Sequence, residues 1–179
     1  KRNLLGFDNG IYDLETSTFR EGLPDDYISL SCGLTLPVPN DRMPIHITDL
    51  KDEISGMSDY GELSDGLNDF LSKVFPIEAV KEYTLRFLSS CLSGEVREEK
   101  FYFWTGSGGN SKSKLIELLD LALGDYSKTL DVAYLTTKRG SSSSASPEIE
   151  TLKYARFVAC SEPEEHDKIY VGKLKEITG

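Results

Sequence analysis

The sequence predicts an α/β protein: an α/β core over 98–179, preceded by a β-rich α+β module over 1–60 and a helical connector over 61–97. Three observations carry that prediction. From residue 100 an apolar strand pattern, a glycine-rich loop and an amphipathic helix pattern follow one another, as in α/β units. Residues 4–36 set short β-rich runs between turn signals. Residues 62–93 repeat apolar side chains at helical spacing.

The elements follow in order. Leu4–Phe7 and Ile11–Leu14 flank Asp8-Asn9-Gly10, a strong hairpin turn signal. Glu15-Thr16-Ser17 is a second turn before a strand at Thr18–Arg20. Tyr27–Leu36 is β-rich and broken by Gly33, and Pro37, Pro39 and Pro44 end it. Leu63, Leu67, Phe70, Leu71 and Val74 mark one helix, and Val80, Thr84, Phe87, Leu88 and Cys91 a second, with Pro76 between them. This pair reads as a hairpin that packs a core, or as an oligomerisation collar. Phe101–Trp104 is predicted as a strand, and a helix follows with Leu115, Leu118, Leu119 and Ala122 on one face and Gly124 as its stop. Strands are predicted at Leu130–Leu135 and Arg156–Cys160, around a serine-rich loop at 139–147 and a short helix at Pro147–Lys153. Ile169–Ile177 reads as a last helix.

Bulk properties exclude several classes. With 39% hydrophobic and 28% charged residues, the 179-residue chain reads as an ordinary globular protein. No apolar run approaches the roughly 20 residues of a membrane span, so no membrane partner is expected, and the N-terminus lacks a signal-peptide pattern. Cys32, Cys91 and Cys160 are far apart with no C-x-x-C pair, which fits a reducing compartment better than a disulfide framework or a zinc site. A net charge of −10 opposes strong nucleic-acid binding by the chain as a whole.

The stretch Gly106-Ser107-Gly108-Gly109-Asn110-Ser111-Lys112-Ser113 nearly fits the phosphate-loop pattern G-x-x-x-x-G-K-[ST]. Glycines let the backbone wrap an anion and aim its amides at phosphate oxygens. The helix that follows adds its positive end. In this reading ATP is the ligand: Lys112 reaches its β- and γ-phosphates, and the Ser113 hydroxyl ligates Mg²⁺. Ser111 departs from the pattern, standing where glycine precedes the lysine. A glycine-only conformation there would strain the loop, whereas helical angles would tolerate serine. The plainer alternative is a Gly/Ser loop with a chance lysine.

Such a site also needs an acid to hold the metal and orient water. Glu162 follows the strand Arg156–Cys160, and Glu164 and Glu165 lie close behind. Glu162 is thus the candidate metal-holding acid. The alternative is a solvated acidic turn.

The segment Phe103–Ser113 resembles the Walker A region of superfamily 3 helicases, and Leu152–Glu164 resembles their Walker B region. The likeness is to the poxvirus-type primase-helicases of large DNA viruses, with related phage and plasmid primases. Leu174–Gly179 resembles the start of the motif called B-prime, and Leu4–Leu14 resembles the domain that precedes the helicase. The resemblance implies an AAA+-like superfamily 3 P-loop ATPase core, incomplete at the C-terminus of this sequence. It implies a DNA-unwinding ATPase of viral genome replication, assembled as a hexameric ring on single-stranded or forked DNA, with primase and other replication proteins as further partners. The host cytoplasm or a viral replication site would house it, with the nucleus left open. Carried over by position, Lys112 and Ser113 bind phosphate and Mg²⁺, Glu162 is the Walker B acid, and Lys175 is the B-prime lysine. Ser161 stands where many members carry a second acid, so Glu164 is a further catalytic candidate. The family's sensor asparagine and arginine finger are expected beyond Gly179, so this segment alone is expected to hydrolyse ATP poorly.

Two other readings stand beside this one. A P-loop phosphotransferase would need an arginine-bearing lid, for which only Lys138 and Arg139 offer anything. A docking module of the replication machinery, without activity of its own, would use the β-rich and helical segments. Tyr134, Lys138 and Arg139 read either as a solvated loop or as contacts to nucleotide or DNA.

Overall fold

A computed structural model of the chain describes residues 1–95, 99–106, 108–109, 111–138 and 147–178. It is a mixed α/β protein with two small sheets. The hairpin signal at Asp8-Asn9 is met by strands β1 (Leu4–Phe7) and β2 (Gly10–Asp13), antiparallel with Phe7 opposite Gly10. β3 (Thr18–Arg20) and the two-residue β4 (Ile45–His46) complete an antiparallel sheet in the order β1-β2-β3-β4. Phe19, Val38, Ile45 and Leu50 form its core with helix α1 (Ile47–Ser55), and the Phe7 and Phe19 rings meet edge-on at 5.7 Å. Full burial of Phe19 stabilises this module by about 1.5–3 kcal/mol.

Helices α2 (Tyr60–Val74) and α3 (Glu78–Ser90) form the expected pair around Pro76. Their apolar faces are only partly covered. Leu71, Thr84 and Cys91 are buried, whereas Leu63, Leu67 and Val80 stay exposed.

The second sheet holds two parallel strands, β5 (Ser127–Leu130) and β6 (Phe157–Cys160), with Ser127 opposite Phe157 and Leu130 opposite Cys160. Helix α4 (Lys112–Leu123) precedes β5, α5 (Val132–Thr136) and α6 (Pro147–Thr151) lie between the strands, and α7 (Val171–Thr178) follows.

Several expectations are corrected. Phe101–Trp104 is not a strand: its aromatic rings pack on one another and on α3 instead, Tyr102 stacking on Phe87 at 3.8 Å and Phe101 meeting Phe103 edge-on at 4.9 Å. β-propensity needs a partner ladder to become a strand, and here α3 takes that face. Leu130–Leu135 is the end of β5 and then α5, because the Asp131 carboxylate caps the helix by accepting from the Ala133 amide at 2.8 Å. Tyr27–Leu36 forms no strand: Tyr27 and Gly33 take left-handed angles (φ 52° and 68°), and single bonds from Cys32 to Gly6 and from Asp8 to Leu34 replace a ladder. The buried stripe of α4 is Leu115, Leu119 and Leu123, with Leu118 and Ala122 exposed. The serine-rich loop at 139–146 lies outside the described residues.

One core joins all three predicted segments: Leu5 and Cys32 from the first, Cys91 from the connector, and Leu123, Tyr126 and Phe157 from the last. Polar bonds reinforce it. The Asp125 amide donates to the Ser31 carbonyl and the Asp125 carboxylate accepts from the Ser31 amide. Gly124 closes α4 at φ 50°, and a Cβ there would strike the Cys32 carbonyl, so the helix stop and the seam both require glycine.

Candidate functional site

The glycine loop is positioned by its two flanks. On the entry side, Trp104 packs against Phe157 with ring centroids 6.4 Å apart. On the exit side, the first bond of α4 runs from the Leu115 amide to the Ser111 carbonyl at 3.0 Å. The amides of Lys112, Ser113 and Lys114 therefore belong to the open end of the helix, where the helix dipole is positive. Gly108 and Gly109 take φ of 82° and 60°.

Ser111 also takes a left-handed conformation, φ 61° and ψ 15°, directly before α4. The position is thus one that favours glycine, and serine holds it at some strain. Its side chain makes no cap bond to the helix to offset this. Gly106, Gly108, Gly109 and Ser113 are exposed and Lys112 is half-buried, while Ser107 and Asn110 lie outside the described residues.

Lys112 lines a cleft of about 380 Å³ together with Thr105, the aromatic residues 102–104 and the α2–α3 turn. Glu162 does not line it. Glu162 stands exposed two residues past the end of β6. Glu164 is exposed in a tight turn whose ends are tied by the Asp167 carboxylate, which accepts from the Glu164 amide at 3.0 Å. Phe101 packs with the cluster at the Leu130–Cys160 end of the sheet, whereas Trp104 meets Phe157 at the other end. The aromatic segment therefore delivers the glycine loop at the β6 end away from Glu162. The structure gathers Thr105, Lys112 and the α4 N-terminus, and it leaves Glu162 and Glu164 apart from them.

Among the described residues, no cluster of three or more His, Cys, Asp or Glu side chains could hold a metal ion. The oxygen donors Ser113 and Glu162 suit Mg²⁺ in kind. Tyr134, expected as a solvated or ligand-touching residue, is buried, with the Lys173 ammonium 4.6 Å above its ring and bonded to its carbonyl. Lys138 and Lys175 are exposed, and Arg139 lies outside the described residues.

Sequence reasoning missed Arg156. Its guanidinium stacks over the Tyr126 ring at 4.6 Å and donates to the Leu92 and Leu4 carbonyls. Burial lowers its pKa from the ordinary value, while Tyr126 and Cys32 act to raise it. It ties the strand before Glu162 to the N-terminal sheet, a partnership across more than 150 residues that no local pattern announces.

Residues 1–74 match the family described as "D5 N terminal like", so the match runs to the last residue of α2. Over 176 residues the chain is 44% identical to "Putative helicase L207/L206" of Acanthamoeba polyphaga mimivirus, covering 98% of this chain and 16% of that protein. It is 30% identical over 177 residues to "Putative helicase 121R" of Invertebrate iridescent virus 3, covering 98% of this chain and 17% of that protein. It is 26% identical over 219 residues to "Putative helicase 022R" of Frog virus 3, with 98% and 22% covered. The chain thus spans about a sixth to a fifth of the length of these relatives. Among the described residues, no helix is long and apolar enough to cross a membrane.

Proposed function

We propose that this chain carries the N-terminal module and the ATP-binding segment of a superfamily 3 DNA helicase that acts in the replication of large DNA viruses. The observation that carries the reading is the backbone at residues 108, 109 and 111–113. Left-handed residues at 108, 109 and 111 lead into the open end of α4, whose first residue is Lys112. A backbone of that shape followed by a lysine suits a polyphosphate. The names of the similar viral proteins point the same way.

In this reading the amides of the loop and of α4 hold the ATP phosphates, and Lys112 neutralises the β- and γ-phosphates. Ser113 would hold Mg²⁺ beside the loop, and Glu162, which stands apart from it, would share the metal only once its turn closes on the loop; the ion when bound draws charge from the transferring phosphoryl group. Glu164 is the second carboxylate available at that turn. Ring assembly, unwinding of single-stranded or forked DNA, and contact with primase belong to the whole protein. With a net charge of −10, DNA contact must come from local surfaces rather than from the chain's overall field.

Calorimetric titration with Mg-ATP tests the reading. The chain is expected to bind, and Lys112→Ala, with an unchanged circular dichroism spectrum, is expected to lose at least tenfold in affinity. Absence of binding by the wild-type chain sinks the proposal. Glu162→Gln, compared with and without Mg²⁺, tests the metal separately from the phosphates.

A further inference from the structure

We infer that the N-terminal module docks an extended, basic segment of a partner protein along the loop at residues 21–31. The inference is independent of the ATP reading, because the cleft it uses shares no lining residue with the one at Lys112. That cleft, of about 530 Å³, lies between the β1–β2 turn and the two stems of the loop, residues 21–22 and 28–31. Phe7, Ile11, Ile28 and Leu30 supply its apolar lining. The tip of the loop adjoins both stems and carries two large side chains in water, Leu23 at 59% exposure and Tyr27 at 83%. The tip is built rather than loose. The buried Asp26 carboxylate accepts from the Leu23 amide at 2.7 Å and from both Arg20 amino groups, which fixes a single turn at Pro24–Asp26. Tyr27 then holds a left-handed angle, φ 52°, that an aromatic residue rarely adopts. A turn with its ion pair inside and its large side chains outside is a preordered anchor, and preordering lowers the entropy cost of docking.

Charge and backbone select the occupant. Glu21 and Asp8, which accepts the Ser31 hydroxyl at 2.7 Å, are the charged residues of the lining, and Asp25 lies on the tip. None of the three carboxylates forms an ion pair among the described residues. The cations at the turn, Lys1 and Arg20, are both held by Asp26. A phosphate backbone is repelled by such a surface, whereas a lysine or arginine is drawn to it and finds the Tyr27 ring as a cation–π face. Residues 27–36 have the composition of a strand, yet Ile28 and Ser29 make no backbone hydrogen bond among the described residues. An incoming extended chain pairs with a backbone of that kind. A peptide strand with aliphatic side chains for the cleft and basic ones for Glu21 and Tyr27 matches the lining, the charge and the open backbone together.

Selection by the chain from a bead library of random linear peptides, followed by fluorescence anisotropy of the selected peptides, tests the surface. Peptides that combine lysine or arginine with aliphatic residues are expected to be enriched, to bind less tightly as salt rises, and to lose about tenfold in affinity with Glu21→Lys. Tyr27→Gly is expected to lose about tenfold in peptide affinity while its thermal midpoint stays at or above that of wild type, because glycine accepts the left-handed angle. A misfolded variant therefore cannot imitate the expected result. Tyr27→Gly and Glu21→Lys variants that bind the selected peptides like wild type overturn the surface. So does a selection that enriches nothing, or one in which acidic or uncharged peptides win. Displacement of the peptides by a single-stranded oligonucleotide overturns it too, as does a wild-type dimer that Tyr27→Gly dissolves, since the surface would then belong to a second copy of the chain. Calorimetry with Mg-ATP keeps the two readings separate: both variants are expected to bind the nucleotide like wild type, and loss of peptide binding alone leaves the ATP site as it was.

Discussion

The Tyr126 hydroxyl lies 2.9 Å from the Gly6 amide and 2.9 Å from the Leu30 carbonyl, accepting from the first and donating to the second. One phenol thereby completes the backbone hydrogen bonding of β1 and of the segment beside it from a position 120 residues away. Gly6 is required at this seam, since a Cβ there would strike the Leu30 carbonyl and crowd the phenol. The N-terminal module and the segment that carries the glycine loop therefore share one folding unit.

Tyr126→Phe removes both bonds and keeps the ring. Burial leaves the Gly6 amide and the Leu30 carbonyl without water to replace the phenol. A loss of about 1–3 kcal/mol in urea denaturation is expected. A midpoint within error of wild type would show that the bridge contributes nothing net.

Arg156→Lys tests the same seam from the other side. Lysine keeps the charge but cannot reach the Leu4 and Leu92 carbonyls with one planar group while stacking on Tyr126. Destabilisation of about 1–2 kcal/mol is expected, and in the double variant with Tyr126→Phe the losses should not add, because the two residues are in contact. Strict additivity in the cycle would refute the shared network.

What the sequence made legible was local. The first hairpin, the helix pair around Pro76, and α4 with its Gly124 stop depend on residues within a few positions of each other. What stayed hidden depended on partners. The aromatic run at 101–104 reads as a strand until α3 offers Phe87 and Tyr83 as stacking surfaces. Residues 130–135 read as a strand until the Asp131 cap is weighed against the β-branched and apolar pattern. The glycine loop was found by its motif. Its distance from Glu162 was not, because the direction in which 101–104 crosses β6 has no signature in the local pattern.

Asp26 gives the chain a predictable acid response. Its buried carboxylate accepts both Arg20 amino groups at 2.9 Å and the Leu23 amide at 2.7 Å. The Arg20 bonds, then the Leu23 amide, hold its pKa far below the ordinary carboxylate range, against the effect of burial. A depressed folded pKa means that the stabilisation is present above the unfolded value, near 4, and fades as the pH falls below it. Thermal unfolding from pH 7 to 2 should show that loss, and Asp26→Asn should flatten it. Arg20→Ala, which strands the carboxylate, should cost about 3 kcal/mol at neutral pH. An Asp26→Asn profile identical to wild type would refute the assignment.

Burial pushes the Cys32 and Cys91 thiols up to about 11. Only the thiolate reacts, so both should resist a disulfide reagent at pH 8 in the native state and react at the rate of unfolding. The folded values lie above the unfolded one, so these thiols favour the folded state below about pH 8.5 and lose that effect as the pH rises toward 11. Rapid labelling of either residue in native protein, read by peptide mass mapping, would contradict the packing of the shared core.

Ser111 offers a gain rather than a loss. At φ 61° its Cβ crowds the backbone, and glycine relieves that contact at the cost of greater freedom in the unfolded chain. The strain of a left-handed non-glycine residue is about 1–2 kcal/mol and the entropy cost of glycine about 0.5–1 kcal/mol. Ser111→Gly should therefore stabilise the chain by about 0.5–1 kcal/mol, whereas Ser111→Val, β-branched at the same angle, should destabilise it. If the loop holds phosphates in this conformation, Ser111→Gly should also bind Mg-ATP at least as tightly as wild type. A glycine variant that is less stable than wild type would mean that Ser111 does not hold the left-handed angle in solution, and the cradle built on that angle would have to be redrawn.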